Sequence, residues 1–255
     1  MGKQILDFLV VENRQIKKDF FVLTLKSPVK LPDILPGQFV QILVKDSTDT
    51  FLRRPFSIHD VDFKENTIRI LVQVVGKGTM KLSGIASGDS LNLIFPLGNS
   101  FSLPMTDDRI ILIGGGCGIA PLLFLARHLK SHGYRFDILM GFRSRDRIIE
   151  HDEYRLLADV FITTEDGSEG EKGFVTQHPA LDKNSYNRAY CCGPDQMMKA
   201  VAEYCRPRKI ECEVSLENLM ACGIGICLCC VVPTIRGNVT SCVEGPVFNI
   251  NELKW

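Results

Sequence analysis

Apolar side chains in the first hundred positions come in short runs broken by polar neighbours, not in long helical stripes. Residues 20–25 (FFVLTL), 39–44 (FVQILV), 67–72 (TIRILV) and 90–94 (SLNLI) each read as a strand. Between them lie chain-turning clusters: Leu35-Pro36-Gly37, Val75-Gly76-Lys77-Gly78 and Ser87-Gly88-Asp89. Short strands at this spacing predict an antiparallel barrel or sandwich.

The rhythm changes near residue 105. Residues 109–113 form an apolar run that ends in glycines, and 121–132 carry helical apolar positions at 122, 123, 125, 126 and 129. Residues 136–140, 160–163 and 188–192 read as extended, 150–157 and 195–205 as helical. This alternation predicts a parallel sheet with crossover helices. Residues 211–255 are dense in Cys and Gly and too short to bury a core of their own, so this tail is expected to need a metal centre to fold. The fold class is multi-domain α+β: a β-barrel over 1–104, an α/β parallel-sheet domain over 105–210 and a small C-terminal module over 211–255.

Composition narrows the function. The 255 residues are 45% hydrophobic and 24% charged, enough to bury a sizeable core. Thirty basic and thirty acidic residues cancel, which removes the basic excess that nucleic acid requires, so no nucleic-acid partner is expected. The start lacks the pattern of a secretory signal. The longest uncharged run, 110–126, holds Gly114, Gly115, Gly116 and Pro121 and reads as a buried strand, a turn and a helix start, not a membrane span. A cytoplasmic protein with reduced thiols and no membrane partner is the expectation. Half of the ten cysteines crowd between Cys222 and Cys242.

Cys222, Cys227, Cys230 and Cys242 give C-x4-C-x2-C-x11-C. The first three follow the plant-type iron–sulfur spacing. A four-residue loop can wrap one edge of a two-iron cluster, and Gly223 and Gly225 tolerate the positive φ that aims backbone N–H groups at sulfur. Structural zinc also uses cysteine pairs at these spacings, but as two separated knuckles, whereas three ligands here share one loop. Zinc stays open as the alternative. Cys229 is surplus and reads as a small buried filler.

Four other stretches carry candidate chemistry. In Phe51-Leu52-Arg53-Arg54-Pro55-Phe56-Ser57-Ile58, a strand puts Arg54 and Phe56 on one face, where a guanidinium can pair with a pyrophosphate. Gly78 and Thr79 belong to a loop whose N–H groups could meet a phosphate, and Leu71, Val72 and Gln73 lie on the strand before it. Each of these is equally compatible with an ordinary strand or turn. Gly114, Gly115, Gly116 and Gly118 join strand to helix as a pyrophosphate site at a helix N-terminus does, although a close-packed turn would look the same. Arg143 and Arg145 follow a strand end and could hold a 2′-phosphate or be surface charges, which leaves NAD and NADP both open.

Arg54-Pro55-Phe56-Ser57 resembles the R-x-Y-S flavin motif of the ferredoxin–NADP reductase superfamily, with Phe56 replacing the tyrosine. Gly114-Gly115-Gly116-Cys117-Gly118-Ile119-Ala120-Pro121 and Cys192-Gly193-Pro194-Asp195-Gln196-Met197-Met198 resemble its pyridine-nucleotide elements, as does the loop from Thr163 to Gly173. With Met220-Ala221-Cys222-Gly223-Ile224-Gly225 and the later Cys242-Val243-Glu244-Gly245-Pro246, the order of parts is similar to the electron-transfer subunits of dihydroorotate dehydrogenase B. Departures from that pattern fall at Phe56, Cys117, Cys191 and Cys229.

The resemblance implies FAD on Arg54, Pro55, Phe56, Ser57, Leu71, Val72, Gln73, Gly78 and Thr79. It implies NAD at Gly114, Gly115, Gly116, Gly118, Cys192, Gly193 and Pro194, and a 2Fe-2S cluster on Cys222, Cys227, Cys230 and Cys242. It further implies an FMN-containing catalytic subunit as partner, in a heterotetramer with two copies of each chain, that oxidises dihydroorotate to orotate. Nicotinamide exchanges electrons in pairs and an iron–sulfur cluster singly, so the flavin belongs between them, and no residue is assigned as acid or base. The same layout fits the small subunit of an NADPH-dependent ferredoxin reductase or sulfide dehydrogenase. A non-catalytic, zinc-stabilised docking module is the second alternative.

Overall fold

The computed structural model describes residues 2–45 and 49–255. Strands β1 (Gln4–Lys17), β2 (Phe20–Lys26), β3 (Phe39–Ile42), β4 (Arg54–Ser57), β5 (Asp60–Asp62), β6 (Thr67–Gln73) and β7 (Ser90–Leu97) form one sheet in the order β4-β3-β7-β1-β2-β6-β5, and a short helix, α1 (Lys77–Ser83), follows β6. All its pairings are antiparallel. The sheet encloses a core that includes Phe8, Leu23, Leu25, Ile42, Ile70 and Phe95.

A second sheet holds β8 (Ile110–Gly115), β9 (Phe136–Phe142), β10 (Asp159–Thr164), β11 (Glu171–Lys172), β12 (Arg188–Cys192) and β13 (Glu211–Ser215), all parallel. A hairpin of β14 (Val231–Thr234) and β15 (Gly237–Thr240) stands apart from it, and β16 (Val247–Asn249) returns to pair antiparallel with β13. Helices α2 (Ala120–Ser131), α3 (His151–Arg155), α4 (Ala180–Lys183) and α5 (Asp195–Arg208) supply the connections. The sheet order is β11-β10-β9-β8-β12-β13-β16, so the chain reverses direction across the sheet between β8 and β12. In open α/β sheets that switch point is where ligands bind. The uncharged run 110–126 is β8, one turn of 3-10 helix and the start of α2, and among the described residues no helix is long and apolar enough to cross a membrane.

The two sheets share a wall. On β2, Phe21, Leu23 and Leu25 face the first core, while Phe20 and Val22 join the core beneath β8, β9 and α2. Leu71 on β6 does the same, between Ile70 and Val72, which point into the first core. This two-sided burial explains the continuous apolar run of β2. Beside the wall sits a polar latch. Arg127 of α2 reaches Asp60 at 2.7 Å and Glu153 at 2.6 Å, and Arg69 of β6 reaches Asp60 at 3.0 Å. The fully buried His59 donates from Nδ1 to the Ala120 carbonyl at 2.8 Å, with Nε2 at 3.5 Å from Glu150, and Arg14 of β1 approaches the same carboxylate at 3.3 Å. Burial opposes ionisation of Glu150, but His59, Arg14 and Arg69 outweigh it and hold the carboxyl below its usual range.

Three features differ from the sequence reading. β1 is a 14-residue strand that alternation does not reveal, because Ile5, Leu9 and Val11 put apolar side chains on its exposed face as well. Val75-Gly76-Lys77-Gly78 is not a bare turn but leads into α1, whose entry is held by Thr79 Oγ1 accepting the N–H groups of Val75 and Gly76. The tail after residue 210 does not stand alone. Cys212, Val214, Leu216, Val232, Phe248 and Ile250 bury against α5 and β12, so a shared core anchors both of its ends.

Candidate functional site

The β14–β15 hairpin brings together two thiols that are distant in sequence. Val231 pairs with Thr240, and Ser241 N–H donates to the Cys230 carbonyl at 2.9 Å, which leaves Cys230 and Cys242 at the open end with their thiols in hydrogen-bond contact. Burial and this contact with Cys230 raise the Cys242 thiol to about 11. The other pair forms within one loop. Cys222 Sγ accepts the N–H groups of Ile224 at 3.4 Å and Cys227 at 3.5 Å and contacts the Cys227 thiol. Burial pushes Cys222 up, but these donors and the N–H of Ile226 outweigh it and bring the thiol down to about 6. Gly223 at φ +69° and Gly225 at φ +88° supply the left-handed backbone that this wrapping requires.

The donor set fits a binuclear cluster. Among the described residues no three such side chains gather as they would around a single ion; the thiols meet as two pairs, Cys222 with Cys227 and Cys230 with Cys242. Two thiolate pairs are what two sulfide-bridged irons need. Two fully buried polar groups beside them, the Gln41 amide and the Ser241 hydroxyl, have no hydrogen-bond partner among the described residues. Such groups cost about 1–3 kcal/mol each when left unpaired, and sulfur acceptors would satisfy the amide N–H and the hydroxyl O–H. Cys229 belongs to neither pair. It is exposed rather than a buried filler, with its thiol 3.8 Å from the Leu219 carbonyl oxygen.

The four thiols rest on the outer face of β3. Phe39 packs with Cys230 and Cys242, and a Cβ on Gly223 would stand 2.7 Å from Gln41 Cγ. In register, Phe39 faces Ser57 and Gln41 faces Pro55 across the β3–β4 ladder. Opposite residues of an antiparallel pair share a face, so Pro55 and Ser57 lie beside the thiol loop while Arg54 and Phe56 point the other way. The Arg54 guanidinium lies against the first turn of α1, where a Cβ on Gly78 would meet Nε at 3.2 Å. Thr79 spends its hydroxyl on capping α1. Val72 is enclosed in the barrel core and Leu71 in the shared wall, so of that trio only Gln73 presents its side chain to the adjoining cleft.

That cleft has a volume of about 620 Å³ and opens over the carboxyl ends of β8 and β12. Its floor is the junction of the two glycine motifs. Cys192 lies beside Gly114 in register, and a Cβ on Gly118 would come within 2.4 Å of Gly193 Cα. Gln73 and Cys117 line one end with Glu217, while Arg143 and Glu165 line the other. Arg145 pairs with Glu169 at 3.5 Å and Arg147 with Asp19 at 3.0 Å. Cys192 Sγ donates to Glu217 Oε1 at 3.9 Å. Burial pushes the Cys192 thiol well up, with Glu217 adding to the effect, and raises Cys117 to about 12. The Glu217 carboxyl, open to the cleft but walled by protein, is also raised by burial. At neutral pH both thiols are therefore uncharged.

Comparison with known proteins agrees with this geometry part by part. Residues 7–101 match an oxidoreductase FAD-binding domain and 112–203 an oxidoreductase NAD-binding domain. Residues 217–254 match the iron–sulfur cluster binding domain of dihydroorotate dehydrogenase B. A Clostridium acetobutylicum protein named dihydroorotate dehydrogenase B (NAD(+)), electron transfer subunit is 36% identical, with 96% of this chain and 95% of the relative covered. A Clostridium perfringens protein of the same name is 38% identical, with 96% of each covered. The chain belongs to the dihydroorotate dehydrogenase B electron-transfer subunit family. Among solved structures, one described as an NADH-dependent reduced ferredoxin-NADP oxidoreductase superposes with a TM-score of 0.87 at 33% identity, covering 100% of this chain and 92% of the other.

Two residues beside the thiols and the cleft carry no signal in the sequence. Glu217 sits just ahead of the cysteine loop, and only the return of β13 beside β12 brings it to Cys192. Gln41 is one polar residue in an apolar strand, and its neighbour Gly223 lies far along the chain.

Proposed function

We propose that this chain is the electron-transfer subunit of an NAD-linked dihydroorotate dehydrogenase, serving pyrimidine biosynthesis in the cytoplasm as a heterotetramer with an FMN-bearing catalytic subunit. Bound in their respective sites, FAD exchanges hydride with nicotinamide and single electrons with a 2Fe-2S cluster, which links the one-electron and two-electron carriers. The observation that carries this reading is the β3–β4 face, where the flavin motif and both thiol pairs meet on adjacent strands.

The protein supplies position, potential and dryness. Arg54, beside the first turn of α1, would pair with the flavin pyrophosphate, and Ser57 faces the side on which the thiols lie. Cys222, Cys227, Cys230 and Cys242 hold the irons, and the N–H groups of Ile224 and Cys227 stabilise the thiolate of Cys222. Gly118 and Gly193 pack backbone to backbone and join the ends of β8 and β12 into the cleft floor, while Gly116, with open space where a Cβ would stand, is where a dinucleotide backbone would approach closely. Cys192, kept neutral and held by Glu217, stands at the nicotinamide end and adds no charge where hydride passes. Arg145 is engaged by Glu169 and Arg147 by Asp19, and the Glu165 carboxylate lines the cleft along with Arg143, which suits unphosphorylated NAD better than NADP.

The test is reconstitution. Co-expressed with a catalytic subunit, the chain should co-purify and support dihydroorotate-dependent reduction of NAD⁺. A second reading, the small subunit of a ferredoxin reductase, is favoured by the 33%-identical structural neighbour. It would be upheld instead by a complex inert to dihydroorotate that exchanges electrons between ferredoxin and NADPH.

A further inference from the structure

Among the described residues of the barrel, Gln41 is the one whose side chain is buried, polar, unpartnered and turned toward the thiol loop. It is fully enclosed, and neither amide atom has a hydrogen-bond partner among the described residues. Its neighbours on β3 are apolar, and an apolar residue would fill its place without leaving an amide unpaired. The amide presses on the loop at Gly223: a Cβ there would stand 2.8 Å from Nε2 and 3.1 Å from Cδ. Gly223, at φ +69°, adjoins Cys222, so its lack of a side chain serves both the turn and the approach of the amide. Phe39, two residues earlier on the same face, packs on Cys230 and Cys242. β3 therefore runs beneath both thiol pairs, and Gln41 is its only side-chain hydrogen-bond donor.

Resting on the cluster assignment above, we propose that the Gln41 side-chain amide donates a hydrogen bond to the sulfurs of the 2Fe-2S centre and raises its reduction potential. Donors to cluster sulfur stabilise the added electron, and burial strengthens the effect because no water competes. Gln41 also lies opposite Pro55 of the flavin motif, so a residue of the flavin-binding sheet would set how readily the cluster accepts and yields electrons.

The test is a potentiometric titration of the purified full chain, following the reduced cluster by electron paramagnetic resonance and the flavin by its visible absorption. In Gln41→Leu the one-electron equilibrium of the cluster should shift about tenfold toward the oxidised form, about 59 mV, with the flavin potential unchanged. A cluster potential equal to wild type, or a shift confined to the flavin, overturns the proposal. A second measurement does not depend on the variant. Wild-type protein labelled with ¹⁵N in its glutamine side chains should show a weak nitrogen coupling to the reduced cluster by pulsed resonance, and its absence likewise overturns the proposal. Failure of the cluster assignment would look different, since the wild-type protein would then give no cluster signal at all.

Discussion

Substituting Gly118→Ala tests whether contact between the two glycine motifs builds the nucleotide site. An added Cβ would lie 2.4 Å from Gly193 Cα and 2.5 Å from both Cys192 O and Gly193 N. All three are backbone atoms and cannot swing aside. Carbon contacts settle near 3.5–4.0 Å, so the ends of β8 and β12 must part by about 1 Å. Overpacking of this kind costs about 1–3 kcal/mol. For a chain of this size that lowers the thermal midpoint by roughly 2–12 °C. A misplacement of about 1 Å at the reacting centre costs on the order of 100-fold in rate. Stopped-flow reduction of the bound flavin by NADH should therefore slow by about that factor, with flavin content unchanged. Gly133→Ala is the control: its φ of +81° makes alanine strained there too, but nothing lies within 4 Å of the new Cβ and the turn follows α2. It should lose stability and keep the rate. A Gly118→Ala protein with wild-type stability and wild-type flavin reduction would refute the reasoning.

Replacing any one of Cys222, Cys227, Cys230 or Cys242 by serine should abolish the normal cluster signal, whereas Cys229→Ser should retain it, with iron content and paramagnetic resonance as the readout. Glu150→Gln should destabilise the protein by about 2 kcal/mol in urea unfolding at neutral pH, because it removes a buried charged acceptor from His59 and Arg14. The folded carboxyl of Glu150 titrates below its usual 4.5, so its contribution is full above that value and is lost as pH falls through the folded pKa; the gap between wild type and variant should close in acid. Glu217 has the opposite sign. Its folded pKa is raised, so the contribution is full below 4.5 and is lost as pH rises through the folded value, and Glu217→Gln should gain on wild type in unfolding titrations as pH is raised above 4.5.

What could be read in advance follows a physical line. The runs that became β2, β3, β6 and β7, and the strand–turn–helix of β8 and α2, were legible because burial imposes a period on a contiguous segment. β1 escaped because exposed Ile5, Leu9 and Val11 blur its alternation, and α1 escaped because Gly76 and Gly78 mark a turn as well as a helix entry. Cysteine spacing pointed to four ligands, but their grouping into two pairs depends on a hairpin register that spacing does not encode. Leu71 and Val72 read as flavin contacts; their side chains fill the two cores, and on that strand the side chain lining the cleft is Gln73. Glu217 and Gln41 are tertiary in origin: each acquires its neighbour from a segment distant in the chain.

The central claim is that electrons pass between the nucleotide cleft and the paired thiols through a flavin on the β3–β4 face. Anaerobic protein carrying FAD and an iron-to-flavin ratio of about two should be mixed with NADH and frozen for paramagnetic resonance. The account predicts that NADH alone bleaches the flavin and elicits the reduced-cluster signal, and that Cys242→Ser bleaches without the signal. Wild-type protein whose flavin bleaches while the cluster signal appears only on adding dithionite would contradict it.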